Sequence, residues 1–504
     1  MGATMKNILG REGGDRPFEG VHAHPGKNPE YQAKNKKAEK VEDWGKLFNR
    51  LPLKDGMVIS FHHHMRNGDF VLNKVMEEIH KRGLKDITLA ASSLFPCHEP
   101  LAEMMKDETV TTVYTSYMSG PVAKAISKGA LKNPAYITTH GGRPRSIIQG
   151  ELKIDIAFVA APAVDPSGAI SGSEGPSACG SLGYAVADAQ YADVVVALTD
   201  HPVDQVKKAD IEAGCVDYIY VMDQIGDPTG IVSGTTKVTK DPIGLRIANQ
   251  TARVMDALGL IKDGLSFQTG AGGTSLAVAA EVRSLMKERN LKGSFGCGGI
   301  TGYFVNMLEE GLFEDLYDVQ GFDIDAAKSA GENDHHHKIS ADLYANPDNP
   351  DHVAGKLDAV ILGCSEIDLD FNVNVTTGSD GIILGGSGGH ADTATGAKVS
   401  IITTKLFNAR MAAVVDSVRT VTTPGEAVDI LVTDYGVAVN PKRQDLIDKL
   451  KDCKQVELKT IEELHDKVLS FTGTPKKRPR SGKPIAYSVY RDGTILDTVD
   501  KVEE

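Results

Sequence analysis

The chain has 504 residues, of which 41% are hydrophobic and 24% charged, a composition typical of a folded protein with two or three domains. Its 55 basic and 68 acidic residues leave a net charge of −13, which argues against a general binder of nucleic acid or anionic membranes. The six cysteines form no C-x-x-C pair, the N-terminus lacks a signal-peptide pattern and no run of about 18 apolar residues occurs, so we expect a cytoplasmic protein without a membrane span or a disulfide framework.

The N-terminal residues, 1–44, hold few apolar side chains and show no hydrophobic period. They predict an arm that is disordered or wraps another surface. A first domain is predicted over residues 45–230. It opens with a strand from Met57, the loop His62–Gly68 and a helix whose apolar residues, from Val71 to Ile79, share one face.

A basic pair follows a diglycine later in this domain. Arg143 and Arg145, next to Gly141-Gly142, have the chemistry to hold substrate carboxylates or carrier phosphates through paired hydrogen bonds. The alternative is a solvated basic loop. Both arginines are therefore weak substrate-binding candidates.

A second domain is predicted over residues 241–473. After Gly264 a short strand ends in a turn that contains Gly270, Gly272 and Gly273, and a helix with an apolar stripe follows. Such a turn lets backbone N–H groups approach a ligand oxygen. The later run 296–299 lacks the G-x-G-x-x-G spacing, so a dehydrogenase is not indicated.

The two predicted domains resemble each other in sequence. Four short matches recur in the same order, separated by 203 to 208 residues. They are Leu53–Gly56 with Ile261–Gly264, Arg82–Lys85 with Arg289–Lys292, Lys153–Asp155 with Lys356–Asp358, and Ala192–Asp200 with Ala397–Lys405. This regularity predicts two copies of one α/β unit.

The segment from Lys356 to Asp392 carries the strongest chemical signal. An apolar run, Ala359–Gly363, predicts a buried strand that delivers Glu366 to its carboxyl end, where open α/β sheets bind ligands. A second apolar segment ends in a glycine loop whose N–H groups are candidates for binding an oxyanion or a thioester: Gly386, Gly388 and Gly389. Together they favour acyl transfer, with Glu366 as the catalytic candidate.

Each of these features also has a simpler interpretation. A glutamate after a strand is most often a solvated loop residue, and a glycine-rich turn alone is a weak signal. His390, which ends the loop, either binds a substrate carboxylate or caps the turn. The combination of carboxylate and glycine loop is what favours a site.

Two histidine runs, His62–His64 and His335–His337, are weak metal signals, because no set of carboxylates accompanies them. We expect no metal site. At the C-terminus, residues 474–504 predict a basic linker around Lys476 followed by a β-hairpin about an Asp-Gly turn.

Several of these motifs resemble those of the CoA-transferase superfamily, and more closely the family of citrate lyase α subunits. They are Ser365–Asp368 with Asn372 and Asn374, the loop GGSGGHAD, the segment Ala427–Pro441, and in the first half FHHHMRNGDFVLN and ITTHGGRPRSI. The resemblance implies two CoA-transferase-like domains, each an open, mostly parallel sheet flanked by helices. It also makes Asn372 and Asn374 candidates for substrate binding.

The resemblance implies a reaction as well. Citrate would displace acetate from an acetyl thioester on an acyl carrier protein, the γ subunit, and a β subunit would then cleave the citryl thioester. No cofactor would be bound permanently, since the thioester is carried by a CoA-derived group on the partner or by CoA itself. We expect an oligomeric complex in which Glu366 is either a nucleophile or a positioning and proton-handling group.

Two other functions compete with this interpretation. One is a conventional transferase that acts on free acyl-CoA through a glutamyl intermediate. The other is a ligand-sensing module without activity, which the glutamate and the glycine loop disfavour.

Overall fold

The computed structural model describes residues 18, 20, 21, 27–232, 237–270, 272–408, 411–474 and 479–503. The predicted linker residues Lys476, Lys477 and Arg478, and most of the predicted N-terminal arm, lie outside the described residues. The chain forms two α/β halves, each built on one mostly parallel sheet. This confirms the predicted fold class.

The first half contains ten strands and six helices among the described residues. The strands are β1 (Glu39–Val41), β2 (Val58–Phe61), β3 (Ile87–Ala91), β4 (Val110–Thr115), β5 (Ala135–Ile137), β6 (Ile156–Ala161), β7 (Ala163–Val164), β8 (Ile170–Ser171), β9 (Val194–Thr199) and β10 (Tyr218–Val221). The helices are α1 (Trp44–Arg50), α2 (Val71–Lys81), α3 (Leu101–Lys106), α4 (Gly120–Ser127), α5 (Gly142–Ile148) and α6 (Ala185–Tyr191).

The second half and the C-terminal segment complete the described elements. The strands are β11 (Ser266–Thr269), β12 (Gly293–Ile300), β13 (Phe313–Gly321), β14 (His336–Lys338), β15 (Ala359–Gly363), β16 (Glu366–Asp368), β17 (Val373–Asn374), β18 (Val399–Thr403), β19 (Phe407–Asn408), β20 (Met411–Ala412), β21 (Val414–Val415), β22 (Ile430–Thr433), β23 (Gly436–Val439), β24 (Pro484–Val489) and β25 (Ile495–Asp500). The helices are α7 (Pro242–Ala257), α8 (Gly273–Glu288), α9 (Gly302–Glu309), α10 (Ile324–Glu332), α11 (Ala341–Ala345), α12 (His390–Gly396), α13 (Gln444–Leu450) and α14 (Ile461–Thr472). Short 3-10 turns lie at Arg66–Gly68, Pro96–His98, Pro228–Ile231, Val353–Lys356 and Gly425–Ala427.

The two large sheets have related strand orders. The first runs β1-β10-β9-β6-β2-β3-β4-β5-β24-β25 and the second β14-β13-β12-β11-β15-β18-β22-β23. Only the last pair in each order is antiparallel. In β15, Ala359 and Ile361 pack into one core while Val360 and Leu362 pack into another, so the sheet is covered on both faces.

Equivalent aspartates confirm that the halves are copies of one unit. In the first half the Asp155 carboxylate accepts the Val58 amide, and in the second the Asp358 carboxylate accepts the Ser266 amide. The Asp55 carboxylate likewise accepts the Lys85 amide, as Asp263 accepts that of Lys292. Each contact joins the start of one strand to the loop before its neighbour, which explains why these short motifs recur.

Two strands that follow the second half in sequence belong to the first sheet. Strands β24 and β25 form the predicted hairpin, and β24 pairs in parallel with β5 at the edge of the first sheet. At the opposite edge β1, which falls within the predicted arm, pairs with β10. The first sheet is therefore closed at both edges by segments from outside residues 45–230.

Each sheet has a switch point in its strand order. Successive strands are added on one side of β2 or β11, and later strands are then added on the other side. The loop after β2, His62–Arg66, lies between the turns that follow β3 and β6, and the loop after β11 lies beside that after β15. Such switch points are where open α/β sheets bind ligands. Among the residues described, no helix has the length and apolar content needed to cross a membrane.

Candidate active site

A cavity of about 650 Å³ lies at the switch point of the second sheet. Its walls come from the loops after β11, β15 and β18 and from the rim residues Leu384 and Met411. The described lining residues include Gly272, Gly273, Thr274, Ser275, Gly363, Cys364, Ser365, Glu366, Asp380, Thr403, Thr404, Lys405 and Asn408. The cavity therefore joins Glu366 to the glycine turn after β11.

Glu366 begins the short strand β16 and is 8% exposed. Its Oε2 accepts hydrogen bonds from Asn374 Nδ2 at 2.9 Å and from the Arg419 amide at 3.0 Å. Within the described residues nothing donates to Oε1. One oxygen is thus anchored while the other is available to a ligand in the cavity.

The two candidate asparagines support this part of the chain from behind. Asn374 is fully buried, donates to Glu366 and accepts the amides of Thr376 and Thr377. Asn372 Oδ1 accepts the Gly425 amide, and its Nδ2 lies 3.3 Å from the Asp368 carboxylate. These contacts assign both side chains to holding the chain, and Asn374 to orienting Glu366.

Helix α8 opens onto the cavity with its amino end. Gly272 is its N-cap residue, and the N–H groups of Gly273, Thr274 and Ser275 meet no acceptor among the described residues. A Cβ on Gly273 would lie 3.1 Å from the Lys237 carbonyl, a tight contact that favours glycine there. Gly270 donates to the Ile361 carbonyl and so joins the turn to β15. Free amides at the start of a 16-residue helix favour an anion.

Two further side chains set the chemistry of the cavity. Lys405 supplies a cation whose Nζ lies 3.1 Å from Asp241, the N-cap residue of α7. Burial raises the pKa of the Cys364 thiol to about 12, so the sulfur beside Glu366 stays protonated near neutral pH. Cys364 is therefore a poor nucleophile here.

The glycine loop runs from the cavity rim at Leu384 to the first domain. Gly388 has φ +50° and donates its amide to the Ser116 carbonyl at 3.0 Å. A Cβ on Gly386 would lie 2.4 Å from the same carbonyl, and one on Gly389 would lie 2.7 Å from the Tyr344 hydroxyl. Close packing therefore explains these glycines, against the first domain at Gly386 and within the second domain at Gly389. The Gly388 amide is already occupied.

His390 is buried just after this loop. One ring nitrogen, Nε2, lies 3.0 Å from the Gly363 carbonyl, and the other, Nδ1, lies 2.7 Å from the Thr423 hydroxyl. Burial lowers the pKa of His390 to about 4, so the ring is neutral near pH 7. These contacts favour the turn-capping interpretation.

Arg143 and Arg145 are engaged by carboxylates within the first domain. Arg143 is 1% exposed and pairs with Asp188 at 2.7 Å. Arg145 forms two hydrogen bonds with Glu151 and lies 3.6 Å from Asp348. Neither is in a solvated loop, and both guanidinium groups already have acidic partners.

Sequence reasoning missed a group of polar residues between the domains. Rings of His63, His140 and Tyr184 stack on one another, with centroids 4.4 to 5.4 Å apart, beside Arg66. His63 and His140 come from the first domain, and Gly388 of the second domain lies against the His140 ring. One feature of the sequence could have pointed to this group: His62–Arg66 directly follow the strand at the switch point.

A buried carboxylate joins the domains beside this group. Asp392 of α12 accepts hydrogen bonds from the Gly141 amide and the Thr139 hydroxyl, both at 2.8 Å, and Arg491 lies 3.6 Å away. Burial raises the pKa of Asp392 to about 6. The C-terminal hairpin, which supplies Arg491, therefore contributes to the contact between the two halves.

The histidine runs pair within the protein. His62 and His64 stack on each other, His336 pairs with Asp318, and His335 and His337 flank Asp315. Within the described part of the chain, no three His, Cys, Asp or Glu side chains come close enough to hold a metal ion.

Comparison with known proteins relates this geometry to a family. The family model for the citrate lyase alpha subunit (CitF) matches residues 37–502. The citrate lyase alpha chain of Haemophilus influenzae is 48% identical over 90% of this chain and 91% of its own length. That of Klebsiella pneumoniae is 43% identical over 97% and 96%.

Solved structures agree. A Streptococcus mutans structure, described as the alpha subunit of citrate lyase in complex with citrate, has a TM-score of 0.91 and 44% identity, covering 94% of this chain and 95% of that one. The malonate decarboxylase alpha subunit of Acinetobacter baumannii shares the fold, with a TM-score of 0.63 at 14% identity over 88% and 86% of the two chains. The chain therefore belongs to the family of citrate lyase alpha subunits.

Proposed function

We propose that this chain exchanges acetate for citrate on a thioester carried by an acyl carrier protein, giving the citryl thioester and acetate. The observation that carries the proposal is that Glu366 and the first residues of α8 line the same cavity. The relatives named above supply the substrate, since they are citrate lyase alpha chains and one of them was solved with citrate.

The cavity suits the thioester partner. A CoA-derived arm has phosphate groups and a long, mostly apolar tether. The amino end of α8 and Lys405 favour the phosphates, while the exposed side chains of Leu384 and Met411 offer apolar contact at the rim. A volume of about 650 Å³ is in the range of sites for small ligands and cofactors.

The exchange needs two acyl-transfer steps. A citrate carboxylate attacks the acetyl carbonyl, which forms a mixed anhydride and releases the thiolate. The thiolate then attacks the citryl carbonyl of the anhydride, which forms the citryl thioester and releases acetate. Each addition puts negative charge on a carbonyl oxygen, so N–H donors lower the barrier. In this scheme Glu366 orients the reactants or handles a proton, and the chain needs no metal or redox group.

The proposal includes partners. The acyl carrier (γ) subunit would bring the thioester, and the β subunit would cleave the citryl group, in a cytoplasmic complex. The overall charge of −13 does not attract an acidic carrier, so docking would depend on local basic groups such as Lys405 at the cavity.

The experiment incubates the purified chain with acetyl-CoA and citrate and follows acetate release and citryl-CoA formation by mass spectrometry. Formation of citryl-CoA supports the exchange. A second reaction contains hydroxylamine, which traps a glutamyl thioester as the hydroxamate. Modification of Glu366 would establish the covalent route of a conventional CoA-transferase. If neither the chain nor its complex with carrier and β subunits forms a citryl thioester, the proposal is wrong.

A further inference from the structure

Arg66 has a strained backbone at the switch point of the first sheet. Its φ of +52° is unusual for a residue with a side chain. Neighbours hold the turn in this form: the Cys97 amide donates to Asn67 Oδ1 at 3.0 Å, and the Cys97 thiol lies 3.7 Å from the Arg66 carbonyl. The turn therefore fixes where the Arg66 side chain begins.

Aromatic rings from both domains hold the guanidinium. Its Cζ lies 5.5 Å from the centroid of Phe95, which belongs to the first domain, and 4.8 Å from that of Phe322, which belongs to the second. Phe322 has room because Gly299 has no side chain; a Cβ there would lie 2.2 Å from the ring. Stacked rings orient a guanidinium but leave its N–H edge open.

Arg66 differs from the other buried or partly buried arginines of this region. Arg143, Arg145 and Arg491 all lie near carboxylates. Among the residues that the structure describes, none forms an ion pair or a hydrogen bond with the Arg66 guanidinium. A cation that has lost part of its water without gaining an anion is costly to keep, which is a reason to look for a ligand.

Further polar atoms around Arg66 also lack partners. His140 Nδ1 is buried without a hydrogen bond, and the Tyr117 and Tyr184 hydroxyls form none with the described residues. Tyr117 stacks on Phe95 at 5.6 Å, and Tyr184 stacks on His63 at 4.5 Å. Burial lowers the pKa of His140 to about 3 and that of His63 well below its usual value. Both rings are therefore neutral near pH 7, and Arg66 supplies the positive charge of the group.

We propose that Arg66 binds a carboxylate of the acid substrate in the crevice between the two domains, with Tyr117, Tyr184 and His140 as neutral hydrogen-bonding partners. This inference rests on the proposed function for its substrate, citrate. It places the acid and the thioester in neighbouring regions that the segment Leu384–Gly388 connects, since Leu384 lines the cavity and Gly388 touches His140.

The test measures citrate binding to the full-length chain by calorimetry, without any thioester. Arg66→Met should weaken citrate binding roughly 10- to 100-fold, as loss of charged hydrogen bonds typically does. Arg66→Lys keeps the charge but not the two-pronged geometry. Its affinity for citrate should lie between that of the parent chain and that of Arg66→Met. Arg283→Met is the matched control, since Arg283 also lies over a ring, that of Tyr303, but pairs with Glu310 at the surface. It should bind citrate normally.

Thermal unfolding separates binding from folding. Arg66→Met leaves no carboxylate unpaired, so without citrate it should be at least as stable as the parent chain, while citrate should raise the melting temperature of the parent much more. Unchanged citrate affinity in Arg66→Met, or a parent chain that binds no citrate, overturns the site. If Arg66→Met loses citrate binding but the parent forms no citryl thioester, the binding site stands and the exchange reaction is wrong.

Discussion

At Glu366 the two carboxylate oxygens have different surroundings. Asn374 and the Arg419 amide hold Oε2, whereas Oε1 has no donor among the described residues, and Glu366 lines the cavity. A side chain fixed at one oxygen loses little freedom when a ligand binds the other, so it is well prepared to orient a reactant.

We predict that Glu366→Gln lowers kcat for acyl exchange by about 10²-fold or more while the chain stays folded, because the change removes charge but little volume. Steady-state kinetics with acetyl-CoA and citrate measure the effect, and circular dichroism checks the fold. Asp380→Asn is the control, since Asp380 lines the same cavity and its carboxylate accepts the Ile382 amide. A near-normal kcat in Glu366→Gln would show that Glu366 takes no part in the reaction.

Residues differ in how far a sequence can predict them. Glu366 could be placed because an apolar run of strand length precedes it. The role of Arg66 could not be predicted, since its two rings come from Phe95 and Phe322, far apart in the chain. The histidine run before Arg66 suggested metal ligands and drew attention away from the arginine.

Among the helices, α8 shows how an element can serve a ligand through its end alone. Its side chains pack into the second core, while its first amides open to the cavity. The glycine turn before it was predictable from sequence. That Glu366 shares a cavity with this turn and not with the loop Gly385–Gly389 was not, because the loop contacts the first domain instead.

We predict that Thr274→Asp raises the KM for acetyl-CoA roughly fivefold, because a carboxylate in the first turn of α8 competes with the ligand's phosphates. The same charge should stabilise the helix by about 0.3–1 kcal/mol. Thr274→Asn tests shape without charge. The KM difference should shrink in high salt. An unchanged KM together with a stabilised fold would show that the amino end of α8 does not bind the thioester substrate.

The C-terminal hairpin is a second element whose place depends on distant contacts. It adds to the edge of the first sheet, and its turn reaches α12 and α11 of the second half. Tyr490 contacts Thr395 at 2.6 Å, and Arg491 donates to the Ala345 carbonyl at 3.0 Å. The hairpin itself was predictable from its alternating residues and Asp-Gly turn, but its neighbour β5 was not.

We predict that Arg491→Leu lowers the free energy of unfolding by about 3–5 kcal/mol, because Asp392 is left buried without its cation. Arg480→Leu is the matched control on the same hairpin. Its pair with Asp497 is partly exposed, so its loss should cost less than about 1 kcal/mol. Urea unfolding measures both.

The loss of unfolding free energy in Arg491→Leu should depend on pH. The reason is Asp392, whose pKa is raised to about 6. A raised carboxyl pKa favours folding at low pH, and that contribution is lost as the pH rises through the folded pKa. Loss of Arg491 raises this pKa further, so the deficit should be larger at pH 8 than at pH 5. Equal losses for the two arginine variants would show that Asp392 does not depend on Arg491.

For the whole molecule, buried histidines dominate the response to acid. Burial lowers the pKa values of six histidines among the described residues: His62, His63, His64, His140, His352 and His390. Those of His64 and His390 are near 4. The unfolded chain takes up protons below about pH 6.5, whereas the folded rings of His64 and His390 stay neutral to about pH 4.

We therefore predict that stability is highest above pH 6.5 and falls as the pH drops towards 4. Five carboxyl groups whose pKa values are raised by burial act in the opposite direction, but the six histidines outnumber them. These carboxyl groups are Asp188, Asp318, Asp368, Asp392 and Asp429. Urea midpoints at pH 7.5, 6 and 5 measure how stability changes with pH. His390→Gln should reduce the number of protons taken up on unfolding by about one, which makes this change smaller. A midpoint that does not change over this range would contradict the burial of these rings.

At this scale the duplication was the most predictable property. Repeated Lys-Ile-Asp and Lys-Leu-Asp segments marked equivalent strands, because their aspartates cap the neighbouring strand in both copies. The way the copies meet was not predictable, since it depends on single contacts such as His140 with Gly388. These contacts have no period and no motif in the sequence.

The hairpin also determines when the first sheet can finish folding during synthesis. Synthesis proceeds from the N-terminus, yet the strand that pairs with the edge of β5 is Pro484–Val489, which is made after the whole second half. Until those residues leave the ribosome, β5 is left without its partner strand, and an unpaired strand edge is the kind of surface at which chains aggregate. A mutation that disturbs β24 or β25 therefore damages the first domain, although the second domain is the one synthesised just before these strands.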